Sequence, residues 1–367
     1  MIVFKNCNVF VGKKKKVFEN KHIYIEKSKF VKIEEDFTSN HQDEVIDLQG
    51  LYVTPGIVEP HCQIGLLEHG VGWAGSDENE DQEPIQDQCH AIDGINMQDR
   101  SFDDFRKSGI TTVGIFPGNN SVVGGYGAAV KCKGNIVDEA IIKSDVGLKV
   151  ALGGTVKAHF KEKNKAPLTR MGIMALLNQF ILDSKMNAKN AKVIRGELPL
   201  IINCERLDDI HSAIRFGEKF NLKIRLVGLA DYEDAKEILL EKNIRYALGP
   251  IMQYATQKET RNRDRYRCIE TFSMMHGSLT TSHPSINGRY AMLQGSIMNQ
   301  NGLEIPSVLK ALSINAAEFL GIEDRVGSIE VGKDADLVIW DGHPLELTTK
   351  VLATMIDGEF VYKGGDL

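Results

Sequence analysis

From Pro55 to about residue 315 the chain alternates short apolar, β-rich runs with stretches of helical periodicity, and this alternation constrains the fold more than any other feature. Strand-like runs fall at residues 56–63, 109–116, 126–132, 148–152, 199–204, 222–227, 244–248 and 278–282. Helical spacing of apolar residues marks 101–107, 172–185, 207–220, 232–242 and 306–315. Repeated strand–helix alternation implies a parallel sheet. About eight strands in a region near the ~250 residues of an α/β barrel favour a closed (β/α)8, TIM-like barrel over an open doubly wound sheet.

Both ends of the chain read differently. The first fifty residues alternate short β-rich pieces with turns, and residues 327–342 read as two strands joined by a Gly332-Lys333-Asp334 turn, followed by another strand around Asp357-Gly358. The expected organisation is a small β-sandwich built from both termini, 1–53 and 327–367, beside a barrel of 54–326. Lys13–Lys16 lies between two strand-like pieces and reads as a solvated hairpin turn.

Composition excludes several classes of function. Lys plus Arg number 44 against 50 Asp plus Glu, a net charge of −6, which is the wrong field for a nucleic-acid-binding protein. The six cysteines form no C-x-x-C pair, so neither a zinc ribbon nor a disulfide scaffold is expected. No segment approaches ~20 uninterrupted apolar residues, so no membrane partner is expected. The reading is a cytoplasmic protein that acts on or binds a small molecule, as a homo-oligomer.

In a barrel of this kind chemistry sits at the carboxyl ends of the strands. The first strand reads Pro55-Gly56-Ile57-Val58-Glu59-Pro60-His61-Cys62-Gln63, and the chain closes on Val331-Gly332-Lys333-Asp334-Ala335-Asp336-Leu337-Val338-Ile339-Trp340. These segments resemble the amidohydrolase superfamily, in particular its imidazolonepropionase-related branch, whose first strand reads like P-G-x-x-D-x-H-x-H. The similarity continues through Gly109-Ile110-Thr111-Thr112-Val113, Thr169-Arg170-Met171-Gly172 and Gly196-Glu197-Leu198-Pro199. It implies a metal-dependent barrel that hydrolyses a non-peptide C–N bond in a small molecule.

The resemblance also implies a ligand set: H-x-H on strand one, a His on each of strands five and six, and an Asp on strand eight. At those positions this chain carries His61 and Gln63, Glu205, Gly228 and Ser282, the last followed by His283-Pro284. Four of the five differ, and a neutral Gln amide is a poor ligand for zinc-like metals. A zinc ion lowers the pKa of its water from 15.7 to about 7, worth roughly 12 kcal/mol of nucleophile activation. General-base help from Glu205 alone supplies about 10²–10⁴-fold, roughly 3–5 kcal/mol.

The expected outcome is therefore no metal and loss of the binuclear chemistry, with His61, Gln63, Glu205, Gly228 and Ser282 as vestigial positions. The alternative is one zinc held by His61, Glu205 and His283, which are also the candidate catalytic residues. Cys62 and Cys204 read as buried, inert thiols, since Cys62 faces the helix layer if His61 faces the interior. Lys131 reads as an ammonium paired with a carboxylate near the barrel mouth, and the Gly124-Gly125-Tyr126-Gly127 run as a tight turn or a close backbone approach. Arg261, Arg263, Arg265 and Arg267 read as a solvated helical face. For an anionic ligand the candidate anchors are Arg170, Arg206, Arg261 and Arg263. Two functions stay open: a hydrolase with a reduced metal site, or a catalytically silent ligand-binding or scaffold relative, such as the partner of an active paralogue.

Overall fold

The computed structural model describes residues 1–12, 18–252 and 277–365. Lys13–Lys16 and the arginines at 261, 263, 265 and 267 lie outside the described residues.

Strands from both chain ends join in one eight-stranded sheet. The amino-terminal strands are β1 (Ile2–Val9), β2 (Glu19–Glu26), β3 (Lys29–Glu34), β4 (Glu44–Asp47) and β5 (Tyr52–Pro55). The carboxyl-terminal ones are β14 (Leu337–Trp340), β15 (Val351–Ile356) and β16 (Glu359–Lys363), and the order is β16-β15-β14-β5-β1-β2-β3 with β4 on β1. The junction is β14 against β5, antiparallel, with Leu337 opposite Pro55 and Trp340 opposite Tyr52. Period-two alternation in β14 and β15 places Leu337, Ile339, Ala353 and Met355 in a separate apolar core with Phe4, Ile23, Phe30 and Val53.

The second sheet is the barrel. Its strands run in chain order: β6 (Ile57–Cys62), β7 (Ile110–Ile115), β8 (Val123–Lys131), β9 (Ile141–Ala151), β10 (Leu200–Cys204), β11 (Ile224–Gly228), β12 (Tyr246–Leu248) and β13 (Ser278–Leu279). The ring is nearly closed, because Gln63 N–H donates to the His283 carbonyl at 2.9 Å and Thr280 Oγ1 donates to the His61 carbonyl at 2.8 Å. Val58, Phe116, Ile201 and Val227 fill the interior together with Ala316 and Phe319 of the helix Ile314–Leu320.

One expectation is corrected. The sheet is not a uniform repeat of eight parallel strand–helix units, since β8 runs antiparallel to both β7 and β9. The connection 116–122 explains this: a parallel return needs a dozen or more residues, and so short a link permits only an antiparallel partner. The β8–β9 hairpin also lengthens β9 well beyond the apolar run 148–152, because polar Lys143, Ser144 and Asp145 hid its first half.

Candidate functional site

Strand polarity brings the ends of β6, β9, β10 and β11 to one mouth. His61 is buried on β6 and its ring stacks on Phe116, 5.2 Å between centroids at an interplanar angle of 16°. Its Nε2 and Lys149 Nζ are hydrogen-bonded at 2.8 Å, and its Nδ1 is buried with no hydrogen-bond partner among the described residues. The imidazole tautomer sets the direction of this bond: a charged lysine donates to a bare Nε2, whereas a neutral amine can accept from Nε2–H. Burial first, and then the charge of Lys149, hold His61 well below its ordinary pKa.

Lys149 is the residue that sequence reasoning missed. It is 0% exposed, next to Ile201 in the β9–β10 register, and burial pulls its amine down to about 7 against the opposing pull of the Glu205 carboxylate. The available signal was a single lysine inside the apolar run Val146-Gly147-Leu148-Lys149-Val150-Ala151-Leu152. A lysine at such a position must be paired or neutral, and either outcome marks a special environment.

Glu205 follows β10 and accepts from the Ala230 N–H at 3.2 Å. Gly228, at φ +97°, leaves room for it: a Cβ there would stand 2.4 Å from Glu205 Oε1. Glu59 is a second residue whose role was not read from sequence. It is fully buried, accepts from His61 N–H (3.2 Å), Thr281 N–H (2.9 Å) and Thr281 Oγ1 (2.7 Å), and lies in hydrogen-bond contact with Thr280 Oγ1. It thus ties the first barrel strand to the last, and burial raises its pKa despite those bonds.

The other candidates are placed elsewhere. His283 is buried edge-on against Phe105 at 5.3 Å, and its Nδ1 accepts from Gly288 N–H at 3.4 Å. Desolvation pushes its pKa down to about 4. Gln63 and Ser282 are half-buried near the β6–β13 seam. Among the described residues no three His, Cys, Asp or Glu side chains converge as a metal-holding group, so His61, Glu205 and His283 are not gathered into one set. Arg170 makes a two-pronged pair with Asp209, 2.7 and 3.1 Å, and Arg206 pairs with Asp208 at 2.8 Å.

Cys62 packs among the helix-side apolar residues, as alternation from His61 requires, and burial pushes its thiol and that of Cys204 well above the ordinary value. Lys131 does pair with carboxylates, but not at the mouth. It meets Asp334 (3.0 Å), Asp336 (2.6 Å) and Asp357 (3.1 Å) where the barrel joins the terminal sheet, because the antiparallel course of β8 carries its last residue to that end. Gly125, at φ +116°, lets the backbone pass beside Cys89, where a Cβ would come within 2.5 Å of a carbonyl oxygen.

Beside the mouth a cavity of about 460 Å3 is bordered by Asp77, Glu78, Glu80, Asp93 and His90 and reaches Gly124. Gly124 lies over the stem of Lys149, 3.7 Å from its Cγ to a Cβ built there. The described wall is acidic.

A solved structure titled an amidohydrolase, from Thermotoga maritima MSB8, superposes with a TM-score of 0.92 at 31% identity, covering 99% of this chain and 100% of that one. The chain belongs to the amidohydrolase superfamily. The family model described as Amidohydrolase family matches residues 231–361. Among curated relatives of this superfamily member, amidohydrolase tasK of Hapsidospora irregularis is 20% identical over 92% of this chain and 39% of its own length. An imidazolonepropionase of Streptococcus pyogenes is 37% identical over 86 residues, 23% of this chain and 20% of its own. The chain thus spans less than half the length of the curated relatives it matches. Among the described residues no helix is long and apolar enough to cross a membrane.

Proposed function

We propose that this superfamily member, akin to the imidazolonepropionase-related branch, uses its barrel to bind a small molecule with an amide-like C–N group and has given up the binuclear metal chemistry. The observation that carries the reading is the 2.8 Å bond between Lys149 Nζ and His61 Nε2. In either tautomer Nε2 is engaged with the Lys149 amine and presents no free lone pair to an ion. Gln63, Gly228 and Ser282 bring no strong ligand to the other implied positions, and Glu205 folds back onto the Ala230 N–H. The donor set therefore does not fit a pair of divalent ions, and no catalytic step is derived through one.

The acidic wall beside Gly124 suits a ligand that presents N–H donors or positive charge. It speaks against the anionic ligand expected from Arg170 and Arg206, whose guanidinium groups are engaged by Asp209 and Asp208.

Denaturation with and without added Zn²⁺, Mn²⁺ or Ni²⁺ tests the reading. An ion at 100 times its Kd would add roughly 2.7 kcal/mol. No shift of the urea midpoint is expected. A stabilisation that vanishes in His61→Ala would overturn the proposal in favour of a hydrolase with a single zinc at His61, Glu205 and His283.

A further inference from the structure

Where β9 and β11 begin, away from the mouth, a cavity of about 560 Å3 lies between the barrel and the loop after the helix Ile314–Leu320. Lys143 and Lys149 are six residues apart on β9, which is roughly 20 Å along an extended strand, so this is a separate place from the site above. Four cations border it: Lys333, which is bonded to Ser328 and lies 3.7 Å from Glu330, and three others, Lys143 on β9, Lys223 just before β11 and Arg225 within it. None of the three forms an ion pair with a carboxylate among the described residues.

Their surroundings are shaped for a guest. Arg225 is only 6% exposed; one guanidinium nitrogen donates to the Phe319 carbonyl, while Nε is buried with no hydrogen-bond partner among the described residues. An orphaned donor on a buried charge is costly, and native structures rarely leave one unmet. Gly321, at φ +71°, turns the loop so that Lys143 Nζ and the Arg225 guanidinium come together over it, at 3.5 and 3.8 Å from a Cβ built there.

Carboxylates border the cavity too, but they do not cancel this charge. Glu197 is held by Arg195 through bonds of 2.5 and 3.2 Å. Glu323 and Asp324 remain on the rim. Even so, burial and then Arg225, Lys143 and Arg245 hold the Lys223 amine below its ordinary range against Glu323, so the local field is positive on balance. Burial and Arg245 likewise pull Arg225 down to about 10.

We propose that Lys143, Lys223 and Arg225 form a second ligand site that binds a phosphate group, free or carried by a small molecule. A phosphate offers three oxygens and a charge of about −1.5 to −2 at pH 7, enough to meet three cations; a lone carboxylate offers two oxygens and one charge.

Isothermal titration of the full chain with inorganic phosphate, glycerol 3-phosphate and acetate tests this. Phosphate is expected to bind and acetate to bind much more weakly. Lys143→Gln and Lys223→Gln, which replace partly exposed side chains and spare the buried guanidinium, should each weaken phosphate roughly tenfold, and the double variant should abolish it. Lys189→Gln, an exposed lysine outside this cavity, should change nothing. Tighter binding of glycerol 3-phosphate than of phosphate would identify a phosphorylated small molecule as the natural occupant, and equal binding the free ion. Absence of phosphate binding, or binding unchanged in the double variant, overturns the proposal.

Discussion

Replacing Lys149 by Met should make the protein more stable at pH 6 and less stable near pH 10. Burial lowers the folded amine to about 7 from an ordinary 10.5, so between those values the native state binds fewer protons than the unfolded chain. Stability attributable to this group therefore rises with pH across that window, at about 1.4 kcal/mol per unit, for a total on the order of 5 kcal/mol. Below the folded pKa both states carry the charge and the penalty is whole; above the unfolded pKa it is gone. Lys149→Met removes the penalty but leaves His61 Nε2 without its hydrogen-bond partner, a loss of roughly 1–3 kcal/mol. The variant should gain roughly 2–4 kcal/mol at pH 6, and the two stability curves should cross before pH 10. Urea denaturation followed by circular dichroism at several pH values measures the difference, in which the contributions of groups remote from Lys149 cancel. Parallel curves with no crossing would refute the reasoning, since they would mean that Lys149 keeps an ordinary pKa in the fold.

Other perturbations follow from the same geometry. Lys131→Met leaves buried Asp336 without a cation, while Asp334 keeps Lys29 and Arg325 and Asp357 keeps Lys133, and should cost about 3–5 kcal/mol. Despite burial, Lys131 holds Asp334 and Asp357 below the usual carboxylate range, so their contribution is present above the ordinary carboxylate pKa and lost as pH falls through the folded values; the variant should show a flatter acid limb, and an equally steep one would contradict this. Gly228→Ala places a Cβ against Glu205 at φ +97° and should cost roughly 1–3 kcal/mol by denaturant titration, whereas a neutral result would show that Glu205 is not held there. Among the described cysteines, Cys89 should react with a thiol reagent in the native protein, while Cys62, Cys132 and Cys204 should react only on unfolding; rapid native labelling of Cys62 would contradict its inward packing.

Much of the barrel was legible because its signals are local. The helices 101–107 and 207–220 coincide with the observed Ser101–Lys107 and Leu207–Phe220, since an apolar stripe at helical spacing has one low-energy solution beside a sheet. The antiparallel β8 was not legible as such, because direction depends on the length of a connection and not on composition. At the site, the positions of His61, Glu205, Gly228 and Ser282 could be read from neighbouring motifs. What fills the space between them could not, because Lys149 belongs to no motif and gains its meaning only when β9 is laid beside β10 and across from β6. The partners of Arg170 and Arg206 were not legible for a related reason: a guanidinium two residues or one helix away from an Asp finds that partner first, as Arg206 does with Asp208 and Arg170 with Asp209.

The most direct test of the central claim is the metal content, by mass spectrometry, of protein produced in zinc-supplemented medium and purified without chelators. With His61 Nε2 engaged by Lys149, less than about 0.1 divalent ion per chain is expected. Close to one equivalent or more, lost in both His61→Ala and Glu205→Ala, would contradict the account and restore the metal-dependent chemistry of the superfamily.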